Sequence, residues 1–246
     1  MRLGIISDVH ANQLALEACL EAGARLGVER LVFLGDIVGY GPDPEAVTQR
    51  VMALVASGAL AIMGNHDAAI AGGSSGMNEV AAAAIAWTRP RLSESSREFL
   101  AGLAMVAALD DVLLVHSEAS APARWFYVTD ASAAMRSLIA TPHRVTVCGH
   151  VHVPQLYCMT ATAKVVTHRP ATDVMIELSP QRQWLAVAGA AGQPRDGNPA
   201  ASFLTYDTQS RALTWRRAPY HHEAAAERVR AAGLPERLAS RLLSGT

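Results

Sequence analysis

No apolar run in this sequence reaches the roughly 18 residues that a membrane-crossing helix needs. Charge of one sign is missing as well: 21 lysines and arginines stand against 22 aspartates and glutamates, a net charge of −1. That balance offers no basic face for nucleic acid or for an anionic membrane. The N-terminal "MRLGIISDVH" lacks the longer apolar stretch and the small-residue cleavage site of a secretory signal. Cysteine is scarce and odd in number. Cys19, Cys148 and Cys158 stand in apolar contexts without a near cysteine partner, which argues against a disulfide framework or a thiolate metal site. Small buried thiols in a reducing cytoplasm are the expectation. Internal repeats and low-complexity linkers are absent. With 246 residues, 50% hydrophobic and 17% charged, the chain fits one globular domain over 1–246, with a C-terminal helix at 222–244 packed on it.

What is present is a series of apolar strands and amphipathic helices. "RLGIIS" reads as a buried strand, and "NQLALEACLEAGARLG" as a helix with Asn12 as its cap. "RLVFLG" is a second strand, and "PEAVTQRVMALVAS" a helix with proline in its first turn. "ALAIMG" is a third strand. This alternation predicts a layered α/β core with parallel pairing. "GMNEVAAAAIAWTRPRL", "SESSREFLAGL" and "DASAAMRSLIAT" read as helices, and "DVLLVH" and "HRVTVCGHVH" as strands ending in histidines. Short strands follow in "KVVTH", "DVMIEL", "QWLAVAG", "ASFLTYD" and "ALTWRRA". A final helix is broken at Gly233–Pro235. The alanine-rich "AAAAIAW" helix suits either the core or an oligomer contact.

Five strand ends carry polar residues of one kind: Asp8 and His10, Asp36, Asn65 with His66 and Asp67, His116, and His150 with His152. Singly, each reads as a turn former, a helix cap or an ordinary histidine. Together, all after apolar strands, they predict a shared site at the carboxyl ends of the strands. His143, His168, His221 and His222 have no such setting. Carboxylates, imidazoles and one amide suit divalent ions such as manganese, iron, nickel or zinc. Asp8, His10, Asp36, Asn65, His116, His150 and His152 make seven candidate ligands, too many for one tetrahedral ion. Two ions sharing a bridging carboxylate fit better, an arrangement that clamps both oxygens of a phosphoryl displacement.

The order D-x-H, G-D, G-N-H-D, H, G-H-x-H resembles that of the calcineurin-like metallophosphoesterase superfamily. "GDIVGYGPDP", "LVHSEASAPARWFYV", "CGHVHVPQ", "GQPRDGNPAASF" and "GLPERLASRLL" are similar to a small bacterial and archaeal phosphodiesterase-like branch of it, over nearly the full chain. The resemblance implies a layered αββα sandwich, two central mixed sheets flanked by helices. It implies that Asp8, His10 and His152 hold one ion, that Asn65, His116 and His150 hold the other, and that Asp36 bridges them. A metal-bound hydroxide then attacks phosphorus, with His66 as general acid and Asp67 as an orienting residue. The chain departs from the branch at Val151, where threonine is usual, and at Val187 and Ala190, where asparagine and serine are. Nor does "GDIVGYGP" supply the acid and arginine that follow the G-D in protein phosphatases. A singly charged diester needs them less than a monoester dianion.

The expected activity is therefore hydrolysis of a small phosphodiester, with a nucleotide as one candidate and Arg195 as a substrate contact. The alternatives are a nucleotide pyrophosphatase or phosphomonoesterase on the same centre, and a non-catalytic scaffold. A scaffold has no reason to keep His66 together with every ligand.

Overall fold

The computed structural model describes residues 1–72 and 76–246. The first half runs β1 (Arg2–Ile6), α1 (Gln13–Arg25), β2 (Arg30–Phe33), α2 (Pro44–Ala56), β3 (Leu60–Ala61), α3 (Asn65–Ile70), α4 (Glu79–Thr88), α5 (Glu94–Ala101), β4 (Val106–Leu109) and β5 (Val112–Val115). The second half continues with α6 (Ala131–Ile139), β6 (Val145–Cys148), β7 (Gln155–Met159), β8 (Val165–His168), β9 (Ile176–Glu177), β10 (Gln183–Val187), β11 (Ala201–Asp207), β12 (Ala212–Ala218), α7 (His222–Ala231) and α8 (Glu236–Ser244). No helix among the described residues is long and apolar enough to cross a membrane.

The strands form two six-stranded sheets, in the orders β3-β2-β1-β11-β12-β9 and β4-β5-β6-β10-β7-β8. Each is mixed. β1, β2 and β3 run parallel, as do β5, β6 and β10, and the other pairings are antiparallel. The sheets stack face to face because alternate side chains are apolar on both faces. Leu3, Ile5, Val32, Leu204 and Trp215 of one sheet meet Leu114, Val145, Val147, Trp184 and Ala186 of the other. On the outer face of the first sheet, Ile6, Phe33 and Phe203 pack on Leu16, Cys19, Val47 and Val51 of α1 and α2. On the outer face of the second, Cys148, Tyr157, Leu185 and Val187 pack on Ala133, Ala134 and Leu138 of α6. The layers are therefore helix, sheet, sheet, helix, as the resemblance implies.

Helix starts follow the expected chemistry. Asn12, Ser93 and Asp130 accept the capping bonds from Ala15, Ser96 and Ala133. The final helix breaks at Gly233, whose φ of +70° suits glycine. α7 and α8 close on Tyr40 and on Ala81 and Ala84 of α4. The alanine-rich helix thus buries Ala81, Ala84 and Ile85 and leaves Ala82, Ala83 and Ala86 exposed. All three cysteines are buried and free.

Three details differ from the sequence expectation. β4 and β7 have no clear signature in "VAAL" and "QLYCM". "DVMIEL" pairs over only two residues. His150 and His152 lie beyond the end of β6, in the loop that follows.

Candidate metal centre

The carboxyl ends of β1, β2, β3, β5 and β6 meet at one edge of the sandwich, and all seven predicted ligands come together there. Three groups are close enough to share a cation: Asp8, His10 and His152; Asp36, His116 and His150; and His10, Asp36 and His66. The first holds the three residues of one expected set; the second holds His116 and His150 of the other with Asp36, and Asn65 Oδ1 lies 3.3 Å from His116 Nε2. The third brings His66 into contact range of both.

Backbone and glycine geometry fix the carboxylates. Asp8 Oδ2 accepts from Ser7 Oγ at 2.6 Å and from the His150 amide at 3.0 Å, so Oδ1 is the oxygen turned to His152 Nε2 at 3.2 Å. Asp36 Oδ1 accepts from the His66 amide at 2.8 Å, and Oδ2 lies 3.7 Å from His10 Nε2 and 3.4 Å from His116 Nε2. The glycines of "GNHD" and "GHVH" make this approach feasible. A Cβ on Gly64 would overlap the Asp36 carboxylate, and one on Gly149 would overlap Ser7 Oγ and stand 2.6 Å from Asp8 Oδ2. Asp67 Oδ1 accepts from the amides of Ile37 and Val38, and its Oδ2 from that of Gly64, which ties the loop after β2 to the start of α3.

Each of the four candidate-ligand histidines has one nitrogen committed outward. Nδ1 of His10, His116 and His152 donates to the carbonyls of Val38, Leu34 and Gln193, and His150 Nε2 donates to that of Trp125. The other nitrogens converge on the carboxylates and, where unprotonated, offer the lone pairs that metal-binding histidines require. Five of the seven ligand positions, Asp8, His10, Asp36, His150 and His152, hold left-handed backbone with φ between 49° and 66°. Such conformations cost non-glycine residues about 1 kcal/mol or more each and gather at functional sites.

Taking protein groups alone, burial pulls His10 well below its ordinary value and His150 down to about 3. Burial also pulls His116 down, but the Asp36 carboxylate raises it further, to about 9. Burial would raise Asp8 and Asp36, yet the neighbouring imidazoles, led by His152 for Asp8 and by His116 for Asp36, hold both below the usual carboxylate range. Burial and then the Asp36 charge push Asp67 up to about 7, against its backbone donors.

The donors fit a divalent cation. Asp8 Oδ1 is buried without a hydrogen-bond partner among the described residues. His10 and His152 present Nε2 lone pairs 3.1 Å apart. A set of imidazoles, carboxylates and one amide is what borderline divalent ions take. A family model, the calcineurin-like phosphoesterase superfamily domain, matches residues 1–211. The chain belongs to this superfamily.

A metallophosphoesterase from Sphaerobacter thermophilus has a solved structure 36% identical to this chain. It aligns over 100% of this chain and 99% of its own, with a TM-score of 0.89. A hypothetical protein from Pyrococcus horikoshii shares the fold at 19% identity and a TM-score of 0.80, over 100% and 98% of the two chains. In sequence, the chain is also 29% identical to an uncharacterized protein of Methanocaldococcus jannaschii, over 99% of this chain and 98% of that one.

A cavity opens over the cluster, lined among others by Tyr40, Asn65, His66, Trp125, Tyr127 and Arg195. Arg195 does not pair with its neighbour Asp196, which binds Arg217 instead. The positions that depart from the branch lie away from the cavity wall. Val187 and Val151 pack in the cluster beneath the second sheet. In the loop after β10 it is backbone that supports the centre: the amides of Ala191 and Gly192 donate to the carbonyls of Ser7 and Asp8.

Sequence reasoning assigned no role to Tyr40, Trp125 or Gln193. Tyr40 sits 4.5 Å from the rings of both His10 and His66. Its signal was the "GYGP" turn. Trp125 and Gln193 orient histidines through their carbonyls, which no side-chain pattern reveals.

Proposed function

We propose that the protein is a phosphodiesterase that works with two divalent ions, of manganese, iron, nickel or zinc. Asp8, His10 and His152 would hold one, Asn65, His116 and His150 the other, with Asp36 common to both. The observation that carries this reading is the place of Asp36 Oδ2 between His10 Nε2 and His116 Nε2, one residue from each set. Paired divalent ions supply an activated water and neutralise the phosphoryl oxygens.

The chain's own groups supply the rest. The Val38, Gln193, Leu34 and Trp125 carbonyls hold four imidazoles in the ligand-ready tautomer. His66 lines the cavity and sits in contact range of Asp36. Its Nδ1 is buried and unpartnered among the described residues, so Nε2 is the nitrogen for a bound ester. A proton there passes to the departing oxygen. Arg195, held by Gln193 Oε1 at 2.9 Å, offers its guanidinium to the phosphate. Trp125 and Tyr127 form an aromatic wall, and Tyr127 lies stacked on His150 at 4.0 Å. That wall favours an aromatic or nucleoside group on the ester.

The test is turnover of bis(4-nitrophenyl) phosphate against 4-nitrophenyl phosphate, with manganese, nickel and zinc in turn. A higher kcat/KM for the diester is expected. A tenfold preference for the monoester under the same metal would overturn the diester assignment, and no turnover of either with ions bound would favour a scaffold.

A further inference from the structure

Beside the metal cavity a second pocket opens between the start of α4 and the exposed face of α8. Its walls are Tyr40, Asn78, Glu79, Val80, Arg237 and Arg241. Tyr40 and Asn78 also line the cavity over the cluster, so the two spaces adjoin. Arg237 and Arg241 lie one helical turn apart on α8 and share a face, while Leu238, Ala239 and Leu242 bury the other. Arg195, on the loop after β10, lines the adjoining metal cavity and lies beside Arg241. Its Nη2 donates to Gln193 Oε1 at 2.9 Å, and Arg241 Nη1 reaches that oxygen at 3.4 Å.

The charges in this group are not balanced. Elsewhere arginines meet carboxylates: Arg217 with Asp196, Arg228 with Asp43, Arg230 with Glu236, Arg136 with Glu118. Among the described residues, no carboxylate lies within ion-pair distance of Arg195, Arg237 or Arg241, and Glu79 pairs with none of them. Arg195 Nε is buried with no partner among those residues. Burial, and then the charges of Arg195 and Arg237, press the Arg241 guanidinium below its ordinary value. Unpaired guanidinium groups around a space beside a phosphate-ester site are suited to a further phosphate, which can accept several of their donors at once.

Resting on the diesterase reading above, we propose that this pocket receives a second phosphate of the substrate, one sugar or one anhydride link from the phosphorus that is attacked. The substrate is then a phosphorylated nucleotide ester or a polyphosphate ester rather than a plain diester.

Two matched pairs test it on metal-loaded protein. The first is thymidine 5′-(4-nitrophenyl phosphate) with and without a 3′-phosphate, for the sugar link. The second is methylenediphosphonate against methylphosphonate as competing ligands, for the anhydride link. In the parent, the second phosphate should raise kcat/KM, or lower the inhibition constant, at least about tenfold in one of the pairs. In an Arg237→Gln/Arg241→Gln variant that ratio should fall towards one. Arg237→Gln alone, at an exposed position, should reduce it in part should the double variant fail to fold. Titration calorimetry of the same compounds separates the two readings. If no ester turns over but the phosphate-dependent difference in affinity remains and depends on the arginines, the diesterase reading falls and the pocket stands. Equal values within both pairs in the parent, or a preference undiminished in the variants, would overturn the pocket.

Discussion

His10 and His152 turn their Nε2 atoms towards each other at 3.1 Å while each Nδ1 is committed to a backbone carbonyl. Two facing lone pairs repel unless a cation lies between them. Removing divalent ions with a chelator should therefore lower Tm on the order of 10 °C, given an ion present at about a thousand times its Kd. Thermal melts with and without chelator, and after readdition of each metal, check this. An unchanged Tm after complete metal removal would count against the assignment.

Asp36→Asn keeps an oxygen to accept from the His66 amide but removes the charge that faces both histidine sets. Metal content should drop at both positions, and diester turnover should fall by at least about a hundredfold. Elemental analysis of the purified variant is the check. Two tightly held ions in it would end the bridging role.

His66→Ala keeps the backbone amide that binds Asp36. General acid catalysis contributes about 10²–10⁴-fold, and most where the leaving oxygen is basic. The variant should lose far more activity on alkyl or nucleoside esters than on nitrophenyl esters, with metal content unchanged. Because His66 also lies in contact range of His10 and Asp36, metal content must be measured first. Loss of an ion would make His66 a ligand, and equal losses on both leaving groups would make it a phosphate contact.

With Asp36 beside it, His116 is raised to about 9 in the protein alone. At pH 7.5 it therefore carries a proton that a metal ligand cannot keep. Metal loading at that pH should release about one proton, and the release should vanish above the raised value. Calorimetric titrations in two buffers of different ionisation enthalpy measure it. No proton release at pH 7.5 would show that His116 is already neutral there.

The seven candidate ligands were legible because each reads as following an apolar strand, and strands announce themselves. "LAIM" before Gly64 and "VTV" before Cys148 are examples. Asn65 and His66 read as the end of the strand "ALAIMG", but only Leu60–Ala61 of it joins the sheet and a helix starts at Asn65 itself. β4 and β7 were hidden because alanine-rich "VAAL" and "QLYCM" lack alternation and owe their state to neighbouring strands. The supports of the imidazoles were hidden for another reason: Leu34, Val38, Trp125 and Gln193 contribute carbonyls, which every residue has. The meeting of Arg195 with Arg241 depends on how α8 docks, and a local pattern cannot express that.

The left-handed backbone at Asp8, His10, Asp36, His150 and His152 also bears on lineage. Glycine would relax each of these positions, and in a descendant released from cation chemistry such replacements would raise stability at no functional loss. A lineage drifting towards a purely architectural role would thus accumulate glycine at these five places, one by one. This chain has glycine at none of them. Its present sequence carries the cost of an unrelaxed loop set, which selection for a loaded centre would maintain and neutral drift would erode.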